Sequence, residues 1–127
     1  MLFNHVGLVC RSEKDCDRFY MNLLGLQKLP SKVLPAEKSK AIFGVDQEYQ
    51  LLYYANEQLK FEIFLSDQKD WGDRHIGHTC LEIRGRETFF EKCRLEGLES
   101  VKIPRESSDL LFVKDFDGNL FELKEKE

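Results

Sequence analysis

Two stretches of this sequence, "HVGLVC" at 5–10 and "HTCLEI" at 78–83, share a His, a Leu three residues later and the alternation of a half-buried strand. Two others, "KFEIFL" at 60–65 and "LFELKE" at 120–125, share Phe-Glu followed by an aliphatic residue. Such self-similarity constrains the fold more than any local propensity, because each copy must form the same supersecondary unit. Between each His strand and its Phe-Glu strand lies one segment of helical period ending in Gly-Leu. In the first, Ser12 stands as N-cap, Cys16, Phe19, Tyr20, Leu23 and Leu24 recur at the 3.6-residue period, and Gly25 terminates. In the second, from about Arg86, Phe89, Phe90 and Cys93 share a face and Gly97 ends the run.

Each half therefore reads as a βαβββ module. The expected class is α+β, in one domain, with module 1 at about 1–66, a linker at about 67–75 and module 2 at about 76–127. The first half is the longer, and its excess falls around 30–50. There "PSKVLPAEKSK" is polar and proline-bearing and "VDQEY" reads as a turn. In the second half "DLLFVKD" and "NLFELKE" flank "DFDG", a hairpin signal ending in Gly118.

Strand periodicity assigns faces, since residues an even number apart share one. Val6, Leu8 and Cys10 oppose His5, and Phe61, Ile63 and Leu65 oppose Glu62. In the repeat, Leu81 and Ile83 oppose His78, while Phe121 and Leu123 oppose Glu122. The apolar rows are expected to pack on the two helices, leaving His, Glu, His and Glu on the other, cup-forming face. His75 is an odd number from His78 and has no counterpart near His5, so His78 is the functional histidine of the pair. Two imidazoles and two carboxylates form a donor set for a borderline divalent ion, with Ni, Co or Zn preferred and Fe or Mn also compatible. Gly7, Val9, Lys60, Phe64, Cys80 and Leu120 follow by period two as the neighbouring layer.

Composition excludes several alternatives. The 127 residues carry a net charge of −4, and no basic stripe or aromatic-basic interleaving marks a nucleic-acid surface. No apolar run approaches the roughly 18 residues of a membrane span, and no signal peptide is visible at the N-terminus. Cys10, Cys16, Cys80 and Cys93 lack zinc-type CxxC spacing and are expected as reduced, small core residues of a cytoplasmic protein.

The chain resembles the vicinal-oxygen-chelate superfamily over essentially its whole length. "NHVGLVC…DRFYMNLLGL" is similar to that family's opening strand and helix, "GHTCLEI" to its fifth strand and "VKDFDGNLFELKE" to its closing hairpin, with Phe116 standing where proline is usual. The resemblance implies eight strands in an open, U-shaped half-barrel with helices on its outer face. Within the superfamily, His5, Glu62, His78 and Glu122 match the metal ligands of glyoxalase I. Fosfomycin-inactivating transferases use three ligands, and methylmalonyl-CoA epimerases typically carry Gln where Glu62 stands.

The activity implied is that of a metal-dependent lyase or isomerase acting on a small vicinal-oxygen substrate, such as a 2-oxoaldehyde–thiol hemithioacetal. The ion acidifies the neighbouring C–H, and Glu122 or Glu62 serves as general base. Alternatives are a related metalloenzyme of the acyl-CoA epimerase or thiol transferase type, and a non-catalytic binding member. A homodimer is expected, each metal site held within one chain or drawing His5 and Glu62 from one chain and His78 and Glu122 from the other. Glutathione-using members commonly carry an arginine four residues after the first ligand and an asparagine four after the first Glu. Here those positions are Val9 and Ser66, and of these anchors only Arg74 is kept. The expected preference is therefore for a thiol or substrate other than the glutathione adduct.

Overall fold

Ser12 starts the first helix as the sequence requires: its backbone is extended and its hydroxyl accepts from the Asp15 N–H at 3.3 Å. Helix α1 runs as α over Glu13–Cys16 and continues in π-helical winding over Asp17–Leu23. The wider winding shows at its end, where the Leu24 N–H reaches back to the Phe19 carbonyl at 2.9 Å. Gly25 then takes the left-handed conformation, φ 75°, that stops the helix.

The computed structural model describes residues 3–67 and 77–127, and the chain divides into two compact units, Met1–Lys69 and Asp70–Glu127. The first holds strands β1 (Val6–Cys10), β2 (Gln27–Leu34), β3 (Tyr49–Ala55) and β4 (Lys60–Leu65) in the order β1-β4-β3-β2. The second holds β5 (His78–Ile83), β6 (Ser100–Ile103), β7 (Leu110–Lys114) and β8 (Leu120–Glu125) in the order β5-β8-β7-β6. In each the first strand pairs parallel with the fourth and the remaining pairs are antiparallel. This is the α+β class expected, built as two four-stranded open sheets, each with the topology of a βαβββ module. The linker expected at 67–75 lies, beyond Asp67, outside the described residues.

Each core draws on the apolar rows that the alternation assigned, of which Val6, Leu8, Leu65 and Ile83 are only half-buried. In unit 1, Cys10, Leu52, Tyr54, Phe61 and Ile63 are buried together with Cys16, Phe19 and Tyr20 of α1. Tyr20 stacks on Tyr54 at 5.5 Å and meets Phe61 at 5.2 Å. In unit 2, helix α3 (Arg86–Leu95) buries Phe89, Phe90 and Cys93, while Leu81, Leu111, Val113, Phe121 and Leu123 are buried from the sheet. Each such side chain contributes on the order of 1.5–3 kcal/mol by leaving water, so one polar substitution in either row would be severe. The β7–β8 turn is organised by Asp115. Its buried carboxylate accepts from the Asp117 and Asn119 N–H groups and the Asn119 amide, and Gly118 supplies φ 89°.

The region 30–50 departs from the polar connection expected of it. β2 continues through Pro30, which an edge strand tolerates at an irregularity, and the register indeed shifts between Leu29 and Lys32. A further helix, α2 (Ala36–Phe43), follows Pro35 and ends at Gly44 with φ 73°. Its last residue meets the sheet: the Phe43 ring lies 5.5 Å from that of Phe64. Phe64, Leu29, Leu34 and Val45 pack with Tyr49, Leu51 and Tyr53 into a second apolar cluster. By register this cluster occupies the face that carries Glu62, so the insertion covers part of that face in unit 1.

Candidate functional site

Each His–Glu pair is set by the parallel strand pairing of its own unit. His5 immediately precedes β1, in which Gly7 pairs with Glu62. His78 opens β5, in which Cys80 pairs with Glu122. In both units the carboxylate stands opposite the residue two after the histidine. Side chains two apart share a face, so His and Glu project together from adjacent strands, away from the buried apolar row. The same offset recurs because the same βαβββ register recurs.

In unit 1 the pair is in contact. His5 Nε2 lies 3.7 Å from Glu62 Oε1, with the His5 side chain 41% and the Glu62 side chain 19% exposed. The remaining polar atoms of both side chains are engaged elsewhere. His5 Nδ1 lies 2.8 Å from Asn4 Oδ1, and a neutral ring that donates to this oxygen keeps its lone pair on Nε2. Glu62 Oε2 accepts from the Tyr53 hydroxyl at 2.8 Å. Two electron-rich atoms, Nε2 and Oε1, thus face one another. Cis donors at metal bond lengths of about 2.0–2.2 Å stand roughly 3–3.5 Å apart, so a small closure from 3.7 Å would suit a divalent ion. The donor chemistry fits the ion that the residue types imply.

The third strand makes the halves unequal. Tyr53 of β3 is opposite Glu62, whereas Phe112 of β7 is opposite Glu122. Tyr53 keeps its proton, its pKa pushed up to about 12 by burial and then by hydrogen bonding to Glu62. Lys60 and Lys32 stand 5.2 Å and 5.5 Å from the centre of its ring. Phe112 has no hydroxyl to offer, and its ring meets that of His78 edge-on at 6.1 Å. A cavity of about 420 Å³ opens within unit 2 beside Glu122, with Arg105, Ser108 and Lys124 among its lining.

Cys80 lies in the layer beside the ligands, as period two expects, but is not the core residue expected of it. Cys10, Cys16 and Cys93 are buried free thiols, but Cys80 is exposed. It sits on the His78–Glu122 face rather than on the face that packs against α3. Its pKa is pushed up to about 11, by partial burial of the group first and by Glu122 next, so at neutral pH it is a protonated thiol. His75 and Arg74 lie outside the described residues. Ser66, where an asparagine anchor would stand, is buried at 6% exposure, and its N–H donates to the Cys10 carbonyl at 2.9 Å. Tyr53 was missed from the sequence. The Asn56 turn, whose side chain accepts from Gln58 and Leu59 N–H groups, fixes the register that faces Tyr53 to Glu62. Counting back from that turn would have found it.

No curated protein sequence and no protein-family model matches this chain. Solved structures match its fold along nearly its full length. A glyoxalase family protein from Enterococcus faecalis matches at TM-score 0.71 and 21% identity, over 97% of this chain and 96% of that one. A variant of the fosfomycin resistance protein FosX from Listeria monocytogenes, complexed with Mn(II) and 1S,2S-dihydroxypropylphosphonic acid, matches at 0.72 and 20%, over 98% and 92%. A glyoxalase family protein from Bacillus cereus matches at 0.71 and 15%, over 97% and 92%. This chain shares the fold of these glyoxalase-family and FosX structures. Among the described residues no helix is long and apolar enough to cross a membrane.

Proposed function

We propose that this chain is a metal-dependent lyase or isomerase of glyoxalase type, cytoplasmic and homodimeric, holding one divalent ion per chain through His5, Glu62, His78 and Glu122. The observation that carries the reading is the facing of His5 Nε2 and Glu62 Oε1 at 3.7 Å, with Asn4 and Tyr53 engaging the other polar atom of each side chain. The same two-residue offset between His78 and Glu122 supports it. Ni, Co or Zn suits this donor set best, and Fe or Mn is compatible with it.

When bound, the ion would chelate two adjacent substrate oxygens and acidify the neighbouring C–H. The chain's own part is proton transfer: Glu62 and Glu122 are the two carboxylates that can take the proton and return it to the adjacent carbon. For a hemithioacetal, that sequence yields a thioester. The four ligands come from one chain, or as two pairs from the two chains of the dimer.

A second reading is favoured by FosX in complex with Mn(II) and a dihydroxypropylphosphonic acid, together with Arg105 and Lys124 beside Glu122. It is a related metalloenzyme whose vicinal-oxygen substrate carries an anionic group. Metal-loaded protein assayed with methylglyoxal and a panel of thiols tests the first reading directly. Isomerisation with at least one thiol is expected, and no turnover with any of them would reject it.

A further inference from the structure

The two halves carry the same His–Glu offset but different third strands, and the difference falls on the carboxylate oxygens. Glu62 Oε2 is 2.8 Å from the Tyr53 hydroxyl, and Glu62 Oε1 is the oxygen turned to His5. We infer that Tyr53 is a positioning residue that commits Glu62 to one-oxygen ligation, holding Oε2 with its hydroxyl so that Oε1 alone is presented toward the ion. The inference rests on the metal-site reading above and deepens it.

Three features make Tyr53 suited to that task. It is buried to 8% exposure within the Tyr49, Leu51 and Tyr53 cluster, so its ring has little freedom to swing away. Its hydroxyl reaches the carboxylate at hydrogen-bond distance, donating to Glu62 Oε2 at 2.8 Å. Its register partner across the antiparallel pair is Glu62 itself, so strand geometry delivers the hydroxyl to that carboxylate. Unit 2 lacks the device: Phe112 occupies the corresponding place opposite Glu122. The side chain that pairs with Glu122 from β5 is Cys80, and a thiol is a weak hydrogen-bond donor. The repeat therefore presents two carboxylates of unlike freedom, Glu62 tethered and Glu122 not tethered by a phenol.

Partners that orient a metal ligand typically govern metal affinity by about 10–100-fold. Chelator-stripped protein titrated with Ni(II) or Zn(II) against a competing chelator provides a readout independent of turnover. Tyr53→Phe keeps the ring and removes only the hydroxyl, and its thermal melt is recorded alongside. Tyr53→Phe is expected to weaken binding within that 10–100-fold range, and to add no further loss in a Glu62→Gln background, as a residue acting through Glu62 must. Unchanged affinity in Tyr53→Phe overturns the inference. An equal loss in the Glu62→Gln background also overturns it, since Tyr53 would then act by another route. Wild-type protein that binds no ion is a distinct result: it rejects the metal-site reading and this inference with it.

Discussion

Removing the Tyr54 hydroxyl is expected to destabilise unit 1 by an amount that depends on pH in a specified way. Tyr54 is fully buried, and its hydroxyl donates to Asp17 Oδ1 at 2.7 Å. Hydrogen bonds to charged acceptors contribute about 1.5–3 kcal/mol. In Tyr54→Phe the Asp17 carboxylate keeps Lys28, whose Nζ stands at 2.9 Å, so it is not left unpaired. The loss at pH 7 is therefore placed at the lower end of that range, about 1.5 kcal/mol. Burial first, then Asp17, raises the Tyr54 pKa well above its ordinary value of 10.0.

A raised acid pKa means that the folded state keeps its proton where the unfolded chain has lost it. Stability is then fully present below about pH 10 and falls above it by about 1.4 kcal/mol per pH unit. Tyr54→Phe lacks that contribution, so the stability difference between wild type and variant should shrink almost to nothing as pH rises from 9 to 11. Urea denaturation of both proteins across that range measures it. A difference that stays constant with pH, or no loss at pH 7, would refute the reasoning.

Three further outcomes follow from particular residues. The Ser39 hydroxyl in α2 is buried without a hydrogen-bond partner among the described residues, so Ser39→Ala should stabilise the protein by about 1 kcal/mol in urea denaturation. Val9 and buried Ser66 stand where glutathione anchors would, so steady-state turnover of the methylglyoxal–glutathione adduct should be poor, with kcat/KM below about 10⁶ M⁻¹s⁻¹, and another thiol should do better. Sedimentation at micromolar concentration should report a dimer, and a strictly monomeric species would remove that part of the proposal.

The sequence was most legible where two physical requirements coincided. Ser12, Gly25 and Gly97 mark helix ends because capping chemistry and the apolar period change at the same residues. The His–Glu face was legible because alternation over four strands has one solution once the buried row is known. The region 30–50 was not, because Pro30 argues against a strand unless that strand is known to be an edge, and edge position is a property of the sheet. Helix α2 had weak signals, Ala-Glu-Lys formers before Gly44, that the polar character of the segment obscured. Cys80 received two readings, the His–Glu face from its even spacing and the core from its residue type, and only the first agrees with its exposure. Tyr53 was hidden because its role depends on cross-strand register rather than on a motif.

The central claim is the four-residue metal centre, and metal content tests it most directly. Chelator-stripped wild-type protein, reloaded with a divalent ion and desalted, should retain about one ion per chain. His5→Ala and His78→Ala should each abolish or sharply reduce that occupancy, while His75→Ala should leave it unchanged. Full occupancy in His78→Ala, or loss in His75→Ala equal to that in His78→Ala, would contradict the account.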